Sequence, residues 1–180
     1  HFNTMGAELI VADFRGYGRS TGLPTLRNSL EDAHKIFDHL KSTGKFKEKV
    51  CVMGRSLGSA PTLELCTTRF DVAGCILESG YADPILLVER RGLKIDKTTP
   101  EEDSLFNHSE KIRLVKCPLL IMHGSDDFLI SPHEAKLNYD NAGSKKKHFE
   151  ILEGVGHNDM MMSGSYFSTL KQFFDTWSSL

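Results

Sequence analysis

Short apolar runs alternate with longer amphipathic stretches along this chain. Leu9 to Ala12, Val50 to Met53, Val72 to Leu77, Leu119 to Met122 and His148 to Leu152 are apolar-rich and each closes on a polar or glycine-bearing turn. Runs of that length and punctuation predict buried strands. Between them, Leu30, Ala33, Ile36, Phe37 and Leu40 recur at helical spacing from Leu26 to about Thr43, with Gly44 as a stop. Leu57 to about Phe70 predicts a second helix, with Pro61 close enough to its start to be tolerated. Pro132 to about Ala142 predicts a third, and Tyr166 to Trp177 a fourth with Phe167, Leu170, Phe173 and Phe174 on one face. Alternating strands and helices predict an α/β fold: one domain over 1–180, a mainly parallel sheet with helices on both faces.

Residues 80–113 break the rhythm. The stretch is charged and long, and two readings stand: a cap or lid over a site, or a solvated surface loop. Composition changes the picture little. Hydrophobic residues make up 39% and charged residues 26%, as in ordinary globular domains. A net charge of −2 gives no electrostatic reason to expect nucleic acid or an anionic membrane as partner. Cys51, Cys66, Cys75 and Cys117 form no C-x-x-C pair and lie in or beside apolar runs, which predicts buried thiols in a reduced, cytoplasmic protein. No apolar run is long enough to span a bilayer, so no transmembrane segment is expected. No signal peptide is visible, and the start at His1 leads us to expect that preceding residues are missing. No His or Cys pair has metal-ligand spacing, so neither metal nor cofactor is expected. Nothing in the pattern selects an oligomeric state.

In open parallel sheets, ligands bind beyond the carboxyl ends of the strands. The turns after the predicted strands are Asp13 to Gly18, Gly54 to Gly58, Glu78 to Tyr81, His123 to Asp127 and Glu153 to His157. They offer a serine, an acid and a histidine in that chain order. Gly54-Arg55-Ser56-Leu57-Gly58 is a G-x-S-x-G run between a strand and a helix. Small residues two before and two after a nucleophile allow the sharp turn that exposes its hydroxyl, and the Leu57 N–H then stands at a helix start, able to stabilise an oxyanion. A hydroxyl needs a base to remove its proton. His157, flanked by Gly154 and Gly156, is the best placed of the eight histidines. For His123, on the approach to the acid, a structural hydrogen bond is expected instead. Asp127 is the expected acid that orients the imidazole, with adjacent Asp126 as the alternative.

The stretches "DFRGYGRSTG", "GRSLGSAP", "VKCPLLIMHGSDDFLISP" and "EGVGHND" together resemble the α/β-hydrolase superfamily over nearly the whole chain, especially a branch of small serine hydrolases with acyl-protein thioesterase-like members. The resemblance implies Ser56 as nucleophile, Asp127 as acid, His157 as base and Leu57 as one oxyanion donor. It gives Arg15, Gly16 and Gly18 an architectural role in a loop beside the active site. It also implies a His-Gly-containing loop, upstream of the first strand, that supplies the second oxyanion donor. The strand leading to that loop belongs between those ending at Asp13 and Met53, and no such segment precedes Leu9. Truncation of a competent enzyme is the favoured explanation. A natural short form with impaired catalysis is the other.

The leading functional expectation is therefore an ester or thioester hydrolase acting on a small-molecule or acyl-group substrate. An apolar acyl chain would lie against the Met160-Met161-Met162 run and the 80–113 segment, with Met160 and Tyr81 as substrate-contacting candidates. Peptide or amide cleavage uses the same triad. A non-enzymatic scaffold of the same architecture is the alternative from another class. A dinucleotide-binding reading of Gly16, Gly18 and Gly22 fails on spacing, which is one residue too long, and on the missing acid after the next strand.

Overall fold

The computed structural model describes residues 1–46, 49–89, 92 and 99–178. Its centre is a parallel sheet of four strands, β1 (Val50–Arg55), β2 (Val72–Glu78), β3 (Leu119–Gly124) and β4 (Lys147–Leu152), in the order β1-β2-β3-β4. Helices α1 (Leu26–Ser42) and α2 (Ser59–Thr68) flank β1, α6 (Pro132–Asn141) links β3 to β4, and α7 (Tyr166–Ser178) follows β4. Between β2 and β3 lie the short helices α3 (Pro84–Glu89), α4 (Pro100–Phe106) and α5 (His108–Lys111).

The period of two along the strands separates two cores. Val50, Val52, Cys75, Leu77, Leu119 and Ile121 face Phe37, Leu63, Leu65 and Ala135 on one side. Cys51, Met53, Ile76, Leu120 and Met122 face Tyr166, Leu170, Phe173 and Phe174 of α7 on the other. Both faces of the sheet are thus covered, as an apolar parallel sheet requires. The amino-terminal residues Phe2 and Met5 add to the α7 side, and Phe2 meets Phe174 edge-on at 6.5 Å between ring centres. All four cysteines are free thiols, with Cys66 and Cys75 buried in the first core.

One predicted strand is corrected. Leu9 to Ala12 forms no ladder, and Leu9, Ile10 and Val11 are 51%, 40% and 79% exposed. Apolar residues make a strand only against a partner. Among the described residues β1 pairs with β2 alone, and nothing occupies the strand position expected between β1 and this segment.

Within the 80–113 stretch, residues 90–91 and 93–98 lie outside the described residues, and the rest is neither a single loop nor fully solvated. Leu105 and Phe106 of α4 pack against the buried cluster of Leu30, Ala60, Tyr81 and Ile130, on which Leu57 of the turn after β1 also packs.

Candidate active site

The turn after β1 is built around a conformational exception. Ser56 has φ +54°, in the left-handed region that residues with a Cβ seldom adopt. It opens a single 3-10 turn, Ser56–Gly58, that runs straight into α2. The two glycines of the run differ in purpose. A Cβ on Gly54 would fall 2.2 Å from the Gly58 carbonyl oxygen and 2.3 Å from Thr62 Oγ1, so only glycine lets strand and helix approach this closely. A Cβ on Gly58 would meet nothing within 4 Å. The expectation that both positions must be small therefore holds for Gly54 only. Leu57 follows Ser56 in the 3-10 turn, so its N–H belongs to the donors left over at a helix start.

The acid and the base come from the turns after β3 and β4, which are stitched together. A Cβ on Gly124 would lie 2.4 Å from the Val155 carbonyl oxygen, so glycine lets the β4 turn close onto the end of β3. The Asp126 N–H donates to that same oxygen at 3.0 Å, and the Gly154 N–H donates to Ser125 Oγ at 2.9 Å. On this frame, His157 Nδ1 stands 2.8 Å from Asp127 Oδ2, with both side chains largely shielded from water. The other carboxylate oxygen accepts the Leu129 and Ile130 N–H groups, both at 2.9 Å. Burial works to raise the Asp127 pKa, but the Ile130 N–H and the His157 ring outweigh it and hold the group below its ordinary value. The acid thus remains a carboxylate. Asp126, the alternative, accepts from the neighbouring Ser125 hydroxyl at 2.9 Å instead.

Asp127 and His157 are therefore brought together, and Ser56 stands on the turn after β1, at the same end of the parallel sheet. Among the described residues no hydrogen bond joins the Ser56 hydroxyl to the His157 ring. The two turns are joined one residue away on each side: Arg55 Nη2 donates to Asn158 Oδ1 at 2.7 Å. Sequence reasoning missed that bond, which spans residues adjacent to both the nucleophile and the base. The structural hydrogen bond expected for His123 is made with the Ile130 carbonyl oxygen at 2.9 Å. His123 Nε2 lies 3.1 Å from Asp127 Oδ2, the oxygen that also faces His157.

The two substrate-contacting candidates are interior residues. Tyr81 is fully buried and stacks on His108 at 3.8 Å between ring centres. Its carbonyl oxygen accepts from Asn138 Nδ2 at 2.9 Å. Met160 is buried in the α7-side core, where the Ser79 hydroxyl donates to its sulfur at 3.2 Å. Met161 and Met162 are 54% and 81% exposed. Ser79, at the end of β2, is the second described non-glycine residue with positive φ, +44°. Beside it, Glu78 is buried and accepts from the Tyr166 hydroxyl, and burial pushes its pKa up. No group of three or more His, Cys, Asp or Glu side chains among the described residues is arranged to hold a metal ion.

The chain is similar in sequence and fold to known proteins. The family model described as "Serine aminopeptidase, S33" matches residues 1–95 and 103–161. The chain is 34% identical over 168 residues to alpha/beta hydrolase domain-containing protein aho-3 of Caenorhabditis elegans, a match covering 93% of this chain and 48% of that protein. It is 32% identical over 162 residues to human alpha/beta hydrolase domain-containing protein 17B, covering 89% of this chain and 54% of that one. The chain thus spans about half the length of the curated relatives it matches. In fold it is similar to the Pyrococcus furiosus esterase Pf2001, with a TM-score of 0.74 at 19% identity, covering 92% of this chain and 69% of the other.

Proposed function

Because this chain belongs to the serine aminopeptidase S33 family of the α/β-hydrolase superfamily, and is a hydrolase-fold protein on that ground, we propose that it cleaves carboxylic esters or thioesters through an acyl-enzyme on Ser56. One observation carries the reading. A carboxylate held by two backbone N–H groups stands 2.8 Å from a histidine, and a serine in a left-handed turn lies at the carboxyl end of another strand of the same sheet.

In this reading Ser56 Oγ attacks the carbonyl carbon while His157 Nε2 takes its proton. Asp127 holds the ring in the tautomer that leaves Nε2 free to accept, and stabilises the imidazolium that forms. The Leu57 N–H donates to the oxyanion. His157 then gives its proton to the departing alcohol or thiol, and water attacks the acyl-enzyme through the same base. Ser56 Oγ and His157 come within bonding distance as substrate binds, since catalytic hydrogen bonds often tighten only in the complex. Buried Tyr81 and Met160 serve as the floor of the site, with α4 as a cap over it. The substrate is a small molecule or an acyl group, and the setting is cytoplasmic. Among the described residues no helix is long and apolar enough to cross a membrane.

Two further readings have support. The family description favours peptide or amide bonds, which the same three residues would cleave. The missing Ser56–His157 hydrogen bond favours a scaffold that keeps the architecture without turnover. An active-site fluorophosphonate separates enzyme from scaffold. Covalent labelling that maps to Ser56 and vanishes in Ser56→Ala is expected. A folded wild-type protein that takes up no label would establish the scaffold. Ester, thioester and aminoacyl-amide substrates with a common acyl group then rank the bond cleaved.

A further inference from the structure

His123 is fully buried at the end of β3, and its ring sits between two acceptors. Nε2 lies 2.9 Å from the Ile130 carbonyl oxygen and 3.1 Å from Asp127 Oδ2. Only a protonated Nε2 suits that position. Nδ1 then carries a lone pair, and this atom is buried with no hydrogen-bond partner among the described residues. A proton on Nδ1 would have no acceptor. Burial also pushes the His123 pKa down, against the pull of the Ile130 carbonyl and Asp127. His123 is thus a neutral imidazole that turns a fixed N–H edge toward the carboxylate that faces His157.

We propose that His123 is a positioning residue of the proposed triad: its Nε2–H edge fixes Asp127 and tempers the attraction that Asp127 exerts on the His157 proton. The inference rests on the serine-hydrolase reading above and adds to it a residue that touches neither substrate nor reacting atoms. Two effects follow from the same contact. First, the His123 N–H donates to the Ile130 carbonyl and sets the ring edge 3.1 Å from Asp127 Oδ2, bracing the loop whose N–H groups already bind the other oxygen. Second, the positive edge of the ring partly offsets the carboxylate charge, so His157 gives up its proton more readily for the next turnover. The charged groups around His123 are Asp127 on its own loop, His157 from the β4 turn and Glu134 from α6, which favours the protonated ring from a distance.

The test uses His123→Phe, which keeps an aromatic ring but removes the donor. His123→Gln serves as rescue, since its amide nitrogen reaches the place of Nε2. Fluorophosphonate labelling of Ser56 is followed from pH 5 to 9 together with the ring signals of isotope-labelled histidines by NMR. In wild type, His123 should stay a neutral Nε2–H tautomer throughout. In His123→Phe the acid limb of labelling and the His157 ring signals should move to higher pH by about 1 unit, and in His123→Gln they should return toward wild type. An unmoved profile in a folded His123→Phe would overturn the proposal, and so would a wild-type His123 that titrates within this range or carries its proton on Nδ1. The wild-type tautomer decides the matter even if His123→Phe fails to fold. Absence of any Ser56 labelling in wild type is a separate result, which removes the serine-hydrolase reading, while the NMR midpoints still report whether His123 acts on the Asp127–His157 pair.

Discussion

Gly54 and Gly58 look equivalent in the G-x-S-x-G run, and one carbon atom separates their fates. A methyl group at residue 54 has backbone and Thr62 in its way, whereas at residue 58 it has open space. Gly54→Ala should therefore cost about 3 kcal/mol through forced backbone displacement, read as a fall in Tm of roughly 10 °C for a chain this size. Gly58 has φ −65°, an ordinary helical value, so Gly58→Ala should leave Tm within a few degrees of wild type. A comparable Tm loss in both variants would contradict the geometry. At the same scale, Asp127→Asn keeps the shape of the acid but not its charge. The two backbone donors still find an oxygen, so the fold should hold, while Ser56 labelling should slow by on the order of 10⁴ through loss of the oriented histidine.

At the scale of elements, the segment between β2 and β3 is anchored by charge. Lys111 of α5 is nearly buried and pairs with Glu64 of α2, whose second oxygen lies 3.1 Å from His34 Nε2 of α1. Burial works to raise the Glu64 pKa, but Lys111 and His34 outweigh it and hold the group below its usual 4.5. A carboxylate depressed on folding contributes stability that is complete above its unfolded pKa and is lost as pH falls through the folded one. Tm should therefore drop between about pH 5 and pH 3 more steeply in wild type than in Glu64→Gln, by differential scanning fluorimetry. At neutral pH, Lys111→Met should cost about 2–3 kcal/mol, because Glu64 loses its ammonium partner in a half-buried setting. A flat pH response in wild type would show that this pair does not anchor the segment. His108 offers no such response, since burial drives its pKa down to about 3 and it stays neutral. Sequence reasoning passed over a legible sign of α4: Thr99 and Glu102 form a capping box, with Pro100 in the first turn. The strands β2 and β3 were legible because burial on both faces selects continuous apolar runs, and β4 because Phe149, Ile151 and Leu152 stand out among its charged residues. Leu9 to Ala12 shows the limit of that logic: local composition states a tendency, and the ladder that realises it depends on residues elsewhere.

For the molecule as a whole, the site was legible wherever position along the sheet decided it. Ser56, Asp127 and His157 each follow a strand, and parallel strands deliver their ends to one edge. The partners of the supporting bonds were not legible, although a structural hydrogen bond was expected of His123. Arg55 meets Asn158 across 103 residues, and His123 shares an oxygen with His157. Neither spacing carries a signal that tells which of several polar residues will meet. The outermost strands of the sheet differ in a way that bears on the whole molecule. β4 carries Lys147, His148 and Glu150, while β1 is uncharged until Arg55. Amide exchange should expose the contrast with β3. The β1 amides directed away from β2 should exchange fast in alternation with protected neighbours, whereas β3, paired on both sides, should be protected throughout. Slow exchange along all of β1 would mean that its outer side is already covered. Charges of the kind on β4 discourage foreign strands from zipping on, and a bare apolar ladder invites them. Purified material should consequently gain sedimenting mass with concentration, and that gain should weaken when the exposed Leu9 and Val11 are changed to lysine.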